Sequence, residues 1–291
     1  MYNKQILKEN LIEDLKTMGL KECDSLMVHS SMKSIGQVDG GADTVVDALM
    51  EYLSEGLLMM PTHTWAQMSA EYNVFDFENE PCCVGIIPNI FFKREGVVRS
   101  LHPTHSIAAY GAGAADYVKG EENCTTPCTP GGCWDRLKSI NAKILLIGVN
   151  HVKNTYIHAV EEVLGVPERF TSEPTLFKIK MPSVTCSNGS LKDILSDTLS
   201  DTIWDGGDKN GIYKEVQMYR HYNPHTAHIS ESFQKLARAY EENGAAHNVR
   251  FGNANCILCD AKGIFEVTER VLSHELNCLI DRETIPEEWW R

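Results

Sequence analysis

Residues 142–167, AKILLIGVNHVKNTYIHAVEEVLGVP, decide the fold class. Ala142 to Val149 is an apolar run without alternation, broken by a glycine and followed by polar residues. A strand buried on both faces of a parallel sheet reads this way. The residues after it have helical spacing and are stopped by Gly165 and Pro167. On that helix His158 stands three residues before Glu161 and four before Glu162, so the three share a face. A carboxylate at this separation holds an imidazole in one tautomer and stabilises its charged form, as a general base near neutral pH requires. The same spacing also occurs in surface ion pairs. Here the helix starts at the carboxyl end of the most buried-looking strand, where α/β sites gather, which favours a site.

Working outward, SLMVHSS (25–31) and GLLMMPTHT (56–64) are further apolar runs ending in polar residues. A glycine turn and the amphipathic segment ADTVVDALMEYL (42–53) separate them, which predicts a parallel βαβ unit. Residues 89–114 read as helix, turn, strand and a loop dense in His, Thr and Ser. TLFKIKMPSVTCSNGS (175–190) reads as a hairpin, SESFQKLARAYEENG (230–244) as a helix, and residues 249–276 as strand, turn, helix. The expected architecture is α/β: a central mixed, partly parallel sheet flanked by helices, with a small β-rich insertion. Residues 1–291 form one domain in this reading, with no repeat or low-complexity linker to divide them.

Composition narrows the function classes. The 291 residues include 27 Lys and Arg against 40 Asp and Glu, a formal charge of −13. Such a surface repels phosphate backbones and anionic lipids, so neither nucleic acid nor a membrane is expected as partner, and a cationic small molecule is. No apolar run approaches the roughly 20 residues that span a bilayer, and the opening MYNKQILKENLIEDLK lacks a signal-peptide core. A cytoplasmic protein is expected; the sequence does not give its oligomeric state. The ten cysteines then read as reduced thiols rather than a disulfide framework. Cys124, Cys128 and Cys133, and the pair Cys256 and Cys259, have metal-like spacing without a second pair at finger distance, and no metal is expected.

Three other segments carry polar chemistry. HSSMKSIGQVDGGADT (29–44) places His29, Ser30, Ser31 and Lys33 before Gly40 and Gly41, which open a helix. Backbone N–H groups and the helix dipole could cradle a phosphate there, or the segment is a plain turn and cap. LHPTHSIAAYG (101–111) sets His102 and His105 around a proline ahead of Ser106, either a pocket wall or a tight turn. HYNPHTAH (221–228) gathers His221, His225 and His228, which admits a zinc hydrolase, although a polar loop fits better where no HExxH pattern exists.

Taken together, MVHSSMKSIGQVDGGADTVVDAL, LMMPTHT, VVRSLHPTHSIAAYG, ILLIGV with NTYIHAVEE, and FGNANCILCDA resemble, in order, the aminoglycoside 3-N-acetyltransferase family. That family has the antibiotic N-acetyltransferase fold, distinct from the GNAT superfamily. The resemblance implies acetyl-coenzyme A as donor, an aminoglycoside amine as acceptor and no metal. It implies His158 and Glu161 as the catalytic base and its acid, and coenzyme contacts on His29, Ser30, Ser31, Lys33, Gly40, Gly41 and Ser106. His63 and Glu162 fall to the acceptor. The thioester is already activated, so no covalent enzyme intermediate is needed, and the Ser30–Ser31 loop is a candidate oxyanion donor. Acidic residues around the acceptor pocket would attract a polycation. One departure stands out: in TPCTPGGCWDRL (126–137), Thr129 and Pro130 occupy positions where Gly and Glu are usual. This opens a different amine, or coenzyme binding without turnover, as alternatives. Residues 171–240 match little and are expected to shape the acceptor pocket.

Overall fold

A computed structural model describes residues 5–182, 203–204, 212–222 and 229–291. The strands are β1 (Ser25–Ser30), β2 (Leu57–Pro61), β3 (Val74–Phe75), β4 (Val98–Arg99), β5 (Ile107–Gly111), β6 (Lys143–Ile147), β7 (Thr175–Lys180), β8 (Ile203–Trp204), β9 (Tyr213–Met218), β10 (Ala246–Phe251) and β11 (Ala254–Asp260). Seven form the main sheet in the order β10-β11-β6-β1-β2-β5-β4, and β3-β7-β9-β8 form a smaller one.

The middle of the main sheet is parallel, with β1 pairing β2 on one side and β6 on the other. Its side chains alternate between two cores, as a pleated strand must. Met27, Ile144 and Leu146 enter one core with Trp134, Tyr156 and Val160. Leu26, Val28, Leu145 and Ile147 enter the other with Val45, Val46 and Leu49. Burial on both faces explains the unbroken apolar runs. The Gly41–Tyr52 helix makes the crossover from β1 to β2. Because the chain leaves β1 toward one neighbour and finds the other later, the carboxyl ends of β6, β1 and β2 frame a crevice.

Local readings differ from the structure at two places. The segment 249–276, expected as strand, turn and helix, belongs to a hairpin, β10 with β11, followed by a helix, and β11 runs antiparallel to β6. β7 pairs with β3 on one side and β9 on the other, and the second half of the hairpin expected at 175–190 lies outside the described residues. The helix after β6 is Tyr156–Val163, preceded by a separate turn at His151–Lys153. It is buried at every position from Tyr156 to Glu161, so its polar residues face the interior instead of solvent.

Gly148, where β6 ends, has φ +63, and an added Cβ would lie 2.1 Å from the Ser34 Cβ. That close approach pins the loop after β1 against the turn after β6, with Ser34 Oγ donating to the Gly148 carbonyl at 3.3 Å. No helix among the described residues is long and apolar enough to cross a membrane.

Candidate functional site

The crevice opens into a cavity of about 740 Å³. The end of β1 supplies His29 and Ser30, the residues after β2 supply His63, and the turn after β6 supplies Lys153 and Thr155. His105, His158 and His221 complete an imidazole-rich wall. Neighbouring ring centroids lie 4.6 Å apart for His63 and His105, 5.3 Å for His105 and His221, and 4.2 Å for His221 and His158.

His158 Nδ1 lies 3.0 Å from Glu161 Oε2. A carboxylate only accepts, so Nδ1 carries the proton and the other ring nitrogen keeps its lone pair. Glu161 Oε1 accepts from Arg169 Nε at 2.8 Å, and Arg169 is anchored in turn to the Asn277 side chain and the Pro167 carbonyl. All three links of this chain are buried. Burial would raise the Glu161 acid, but His158 and Arg169 together hold it below the ordinary carboxylate value. Burial pushes His158 down to about 4, His221 pushes the same way, and Glu161 opposes both. His158 is therefore neutral at pH 7 and free to accept a proton.

A second carboxylate–imidazole pair stands beside the first. Glu162 Oε1 accepts from His221 at 2.9 Å and from the Cys128 amide at 2.9 Å, while Oε2 accepts from Thr126 Oγ1 at 2.6 Å. The Thr126–Gly132 turn, where the sequence departs from its pattern, is thus built around Glu162. Thr129 Oγ1 tightens the turn by accepting from the amides of Thr125 and Thr126. A further carboxylate from outside every motif, Glu121, is buried against the next helix and accepts from the Cys133 amide at 2.7 Å.

The other expected site residues divide. His29 and His63 line the cavity, and the Nε2 atom of each is buried without a partner. Buried polar atoms are normally hydrogen-bonded, so a ligand group is the natural complement. Burial lowers His29 to about 3, and burial with neighbouring imidazoles holds His63 and His105 well below the ordinary value. Ser31, Lys33, Gly40, Gly41 and Ser106 are not on the cavity wall. The Ser31 amide donates to the Ile147 carbonyl at 2.9 Å, which removes it as an oxyanion donor. Ser106 is fully buried, its hydroxyl held by Thr62 and by Arg99 Nε at 3.1 Å, and serves the scaffold. The expected acidic pocket is also absent among the described residues. Glu161 and Glu162 stand behind imidazoles, and the wall itself carries Lys153, Arg220 and a single carboxylate, Glu231.

Two groups have metal-compatible proximity, His102–Glu121–Cys124 and Cys128–Glu162–His221. In the first, His102 Nδ1 accepts from the amides of Thr104 and His105, so its proton is on Nε2, directed at the Thr126 carbonyl. In the second, the Glu162 oxygens already accept three hydrogen bonds. Neither is read as a metal site. His225 and His228 lie outside the described residues.

These neutral rings make stability depend on acid. His29, His63, His105 and His158 each bind a proton on unfolding below about 6.5 but resist it in the fold, so the unfolded state binds more protons and stability falls as pH falls. The loss runs from about 6.5 to about 4 for His158 and reaches about 3 kcal/mol for one such ring. Denaturant midpoints should decline steadily across that window; a flat profile would contradict the neutral assignment.

Comparison with known proteins gives a consistent result. The family model described as aminoglycoside 3-N-acetyltransferase matches residues 27–273. Aminoglycoside N(3)-acetyltransferase VII of Streptomyces paromomycinus is 29% identical over 180 residues, covering 56% of this chain and 62% of that protein. Aminoglycoside N(3)-acetyltransferase III of Salmonella sp is 26% identical over 271 residues, 87% of each. The match to the first relative, like those to several others, spans less than two thirds of the relative's length. Among solved structures, aminoglycoside acetyltransferase AAC(3)-IVa in complex with a gentamicin has a TM-score of 0.75 at 22% identity, covering 97% of this chain and 94% of that one. AAC-IIIb with CoASH has a TM-score of 0.69 at 18% identity, covering 90% and 94%. At such identities these likenesses establish the fold.

Proposed function

The chain belongs to the aminoglycoside 3-N-acetyltransferase family, and on that premise we propose that it transfers the acetyl group of acetyl-coenzyme A to an amine, the 3-N position of an aminoglycoside. The observation that carries this reading is the neutral His158 ring on the cavity wall, fixed from behind by the buried Glu161–Arg169 pair. An ammonium nitrogen must shed protons to become an amide, and a ring fixed in one tautomer supplies a lone pair to take one of them. The imidazolium that forms is stabilised by Glu161. A cavity of about 740 Å³ has room for the end of a pantetheine arm beside an acceptor ring.

In this reading the pantetheine arm follows His29 and Ser30, and the exposed Lys153 meets the coenzyme phosphates. The unpartnered Nε2 atoms of His29 and His63 are the available donors for the thioester carbonyl as it becomes an oxyanion. Acetylating an aminoglycoside would confer resistance, and the need for acetyl-coenzyme A places the reaction in the cytoplasm. The imidazole wall favours a second acceptor class, amines with fewer charges. Incubation with acetyl-coenzyme A and a panel of aminoglycosides and simple polyamines, read as free thiol, tests both. The expected result is release dependent on the amine; coenzyme binding with no release for any amine would overturn the reading.

A further inference from the structure

We propose that His221, backed by Glu162, is a second proton acceptor, and that it and His158 divide between them the two protons an ammonium loses on becoming an amide. The inference rests on the acetyl-transfer reading above. In that reaction an ammonium and an acetyl thioester give an amide, a thiol and one free proton. The nitrogen lone pair forms the C–N bond, the C–S bond breaks, and its electron pair stays on sulfur. Two protons leave nitrogen: one frees the lone pair for attack, and one departs as the tetrahedral carbon collapses. Sulfur takes one and solvent takes the other. A neutral imidazole has a single free lone pair, so His158 alone would have to discharge the first proton before receiving the second.

The structure puts a second ring where it is needed. Consecutive carboxylates of one helix hold the two imidazoles, Glu161 that of His158 and Glu162 that of His221, and the ring centroids are 4.2 Å apart. Glu162 accepts from His221 Nε2, which leaves Nδ1 with the lone pair. His221 is fixed although it follows a strand. Its neighbours bond to the segment after the catalytic helix, Thr171 N to the Arg220 carbonyl and Tyr222 N to the Arg169 carbonyl, each at 2.9 Å. Phe170 stacks on its outer face at 5.9 Å.

Charge assigns the order. With both rings neutral, Glu161, Glu162 and Arg169 leave this buried group with one net negative charge, which attracts an ammonium. One proton makes the group neutral; two would place adjacent cations 4.2 Å apart. Among the described residues, the titratable groups around His221 are Glu162, His158, His105, His63, His102 and the Cys128 thiol, with Arg220 beside it in the chain. Its side chain is 15% exposed against 11% for His158, so it is the better placed to return a proton to solvent. His221 therefore takes the ammonium proton and releases it, while His158 takes the second and delivers it to the departing sulfur.

The test compares His221→Gln and His221→Phe with wild type and His158→Gln, measuring kcat/KM by thiol release from below to above the acceptor's own ammonium pKa. The Phe variant keeps the ring packed between His158 and Phe170. At pH 7 both His221 variants should fall by about 10²-fold. Above the acceptor pKa, where the amine arrives neutral, they should recover to within several-fold of wild type, and His158→Gln should not. A deficit that is the same at every pH, or none at all, would overturn the proposal. If wild type releases no thiol with any amine, the acetyl-transfer reading fails and the proposal with it.

Discussion

Replacing His158 by glutamine should reduce kcat by about 10²- to 10⁴-fold, the range general-base groups contribute, while coenzyme binding changes little. Glutamine fills most of the imidazole volume and can still donate to Glu161, but its amide nitrogen does not accept a proton at any working pH. The comparison isolates proton transfer from packing, which matters because the ring also stands edge-on to Phe233 at 4.6 Å. Equilibrium dialysis with coenzyme A and thiol-release kinetics separate the two effects. Turnover within a few-fold of wild type would show that the nitrogen is deprotonated by another group. The low basicity of His158 in the free protein does not argue against its role. Desolvation that disfavours an imidazolium disfavours the charged nitrogen of the tetrahedral intermediate too, and the proton moves between them with Glu161 already in place to stabilise the product.

The sequence exposes those parts of the site that are local. Three residues on a helix bring His158 to Glu161, and an unbroken apolar run announces β6, because both follow from the periodicity of a single element. Partnerships made across the fold leave no such trace. Arg169 reaches Glu161 from beyond the helix stop, past Pro167, so no spacing rule connects them. His221 meets Glu162 from 59 residues away through the pairing of β7 with β9, and its cluster of histidines suggested a metal or a loop instead. The Thr129–Pro130 departure looked like a lost carboxylate. Through space it is a turn closed on one, since Thr126 and the Cys128 amide both donate to Glu162. Ser106 parts from its neighbours: Thr104 and His105 line the cavity, as the pocket-wall reading expects, yet burial turns the Ser106 hydroxyl to Arg99 and Thr62.

Arg169→Met should be the most damaging single substitution for stability, costing about 3–5 kcal/mol. Methionine fills much of the space but removes the only cation hydrogen-bonded to Glu161 among the described residues. Both side chains are 1% exposed, so water does not replace the lost charge. Arg169 Nη1 also gives up Asn277 and the Pro167 carbonyl, loosening the chain just after the helix. Glu161 can then relieve its buried charge only by taking up a proton, because desolvation is the largest influence on it and Arg169 is one of the two groups opposing that rise. A protonated Glu161 no longer stabilises imidazolium at His158. The acid limb of the activity profile should therefore move to higher pH, with a loss in kcat rather than in KM for the amine. Urea denaturation and the pH profile read the two consequences separately. Arg169→Lys should recover part of the stability, since one ammonium reaches Glu161 but does not also serve Asn277 and Pro167 from a planar fork. A Met variant as stable as wild type, with an unshifted acid limb, would mean that Glu161 is held by His158 alone and that the guanidinium has no part in setting the base.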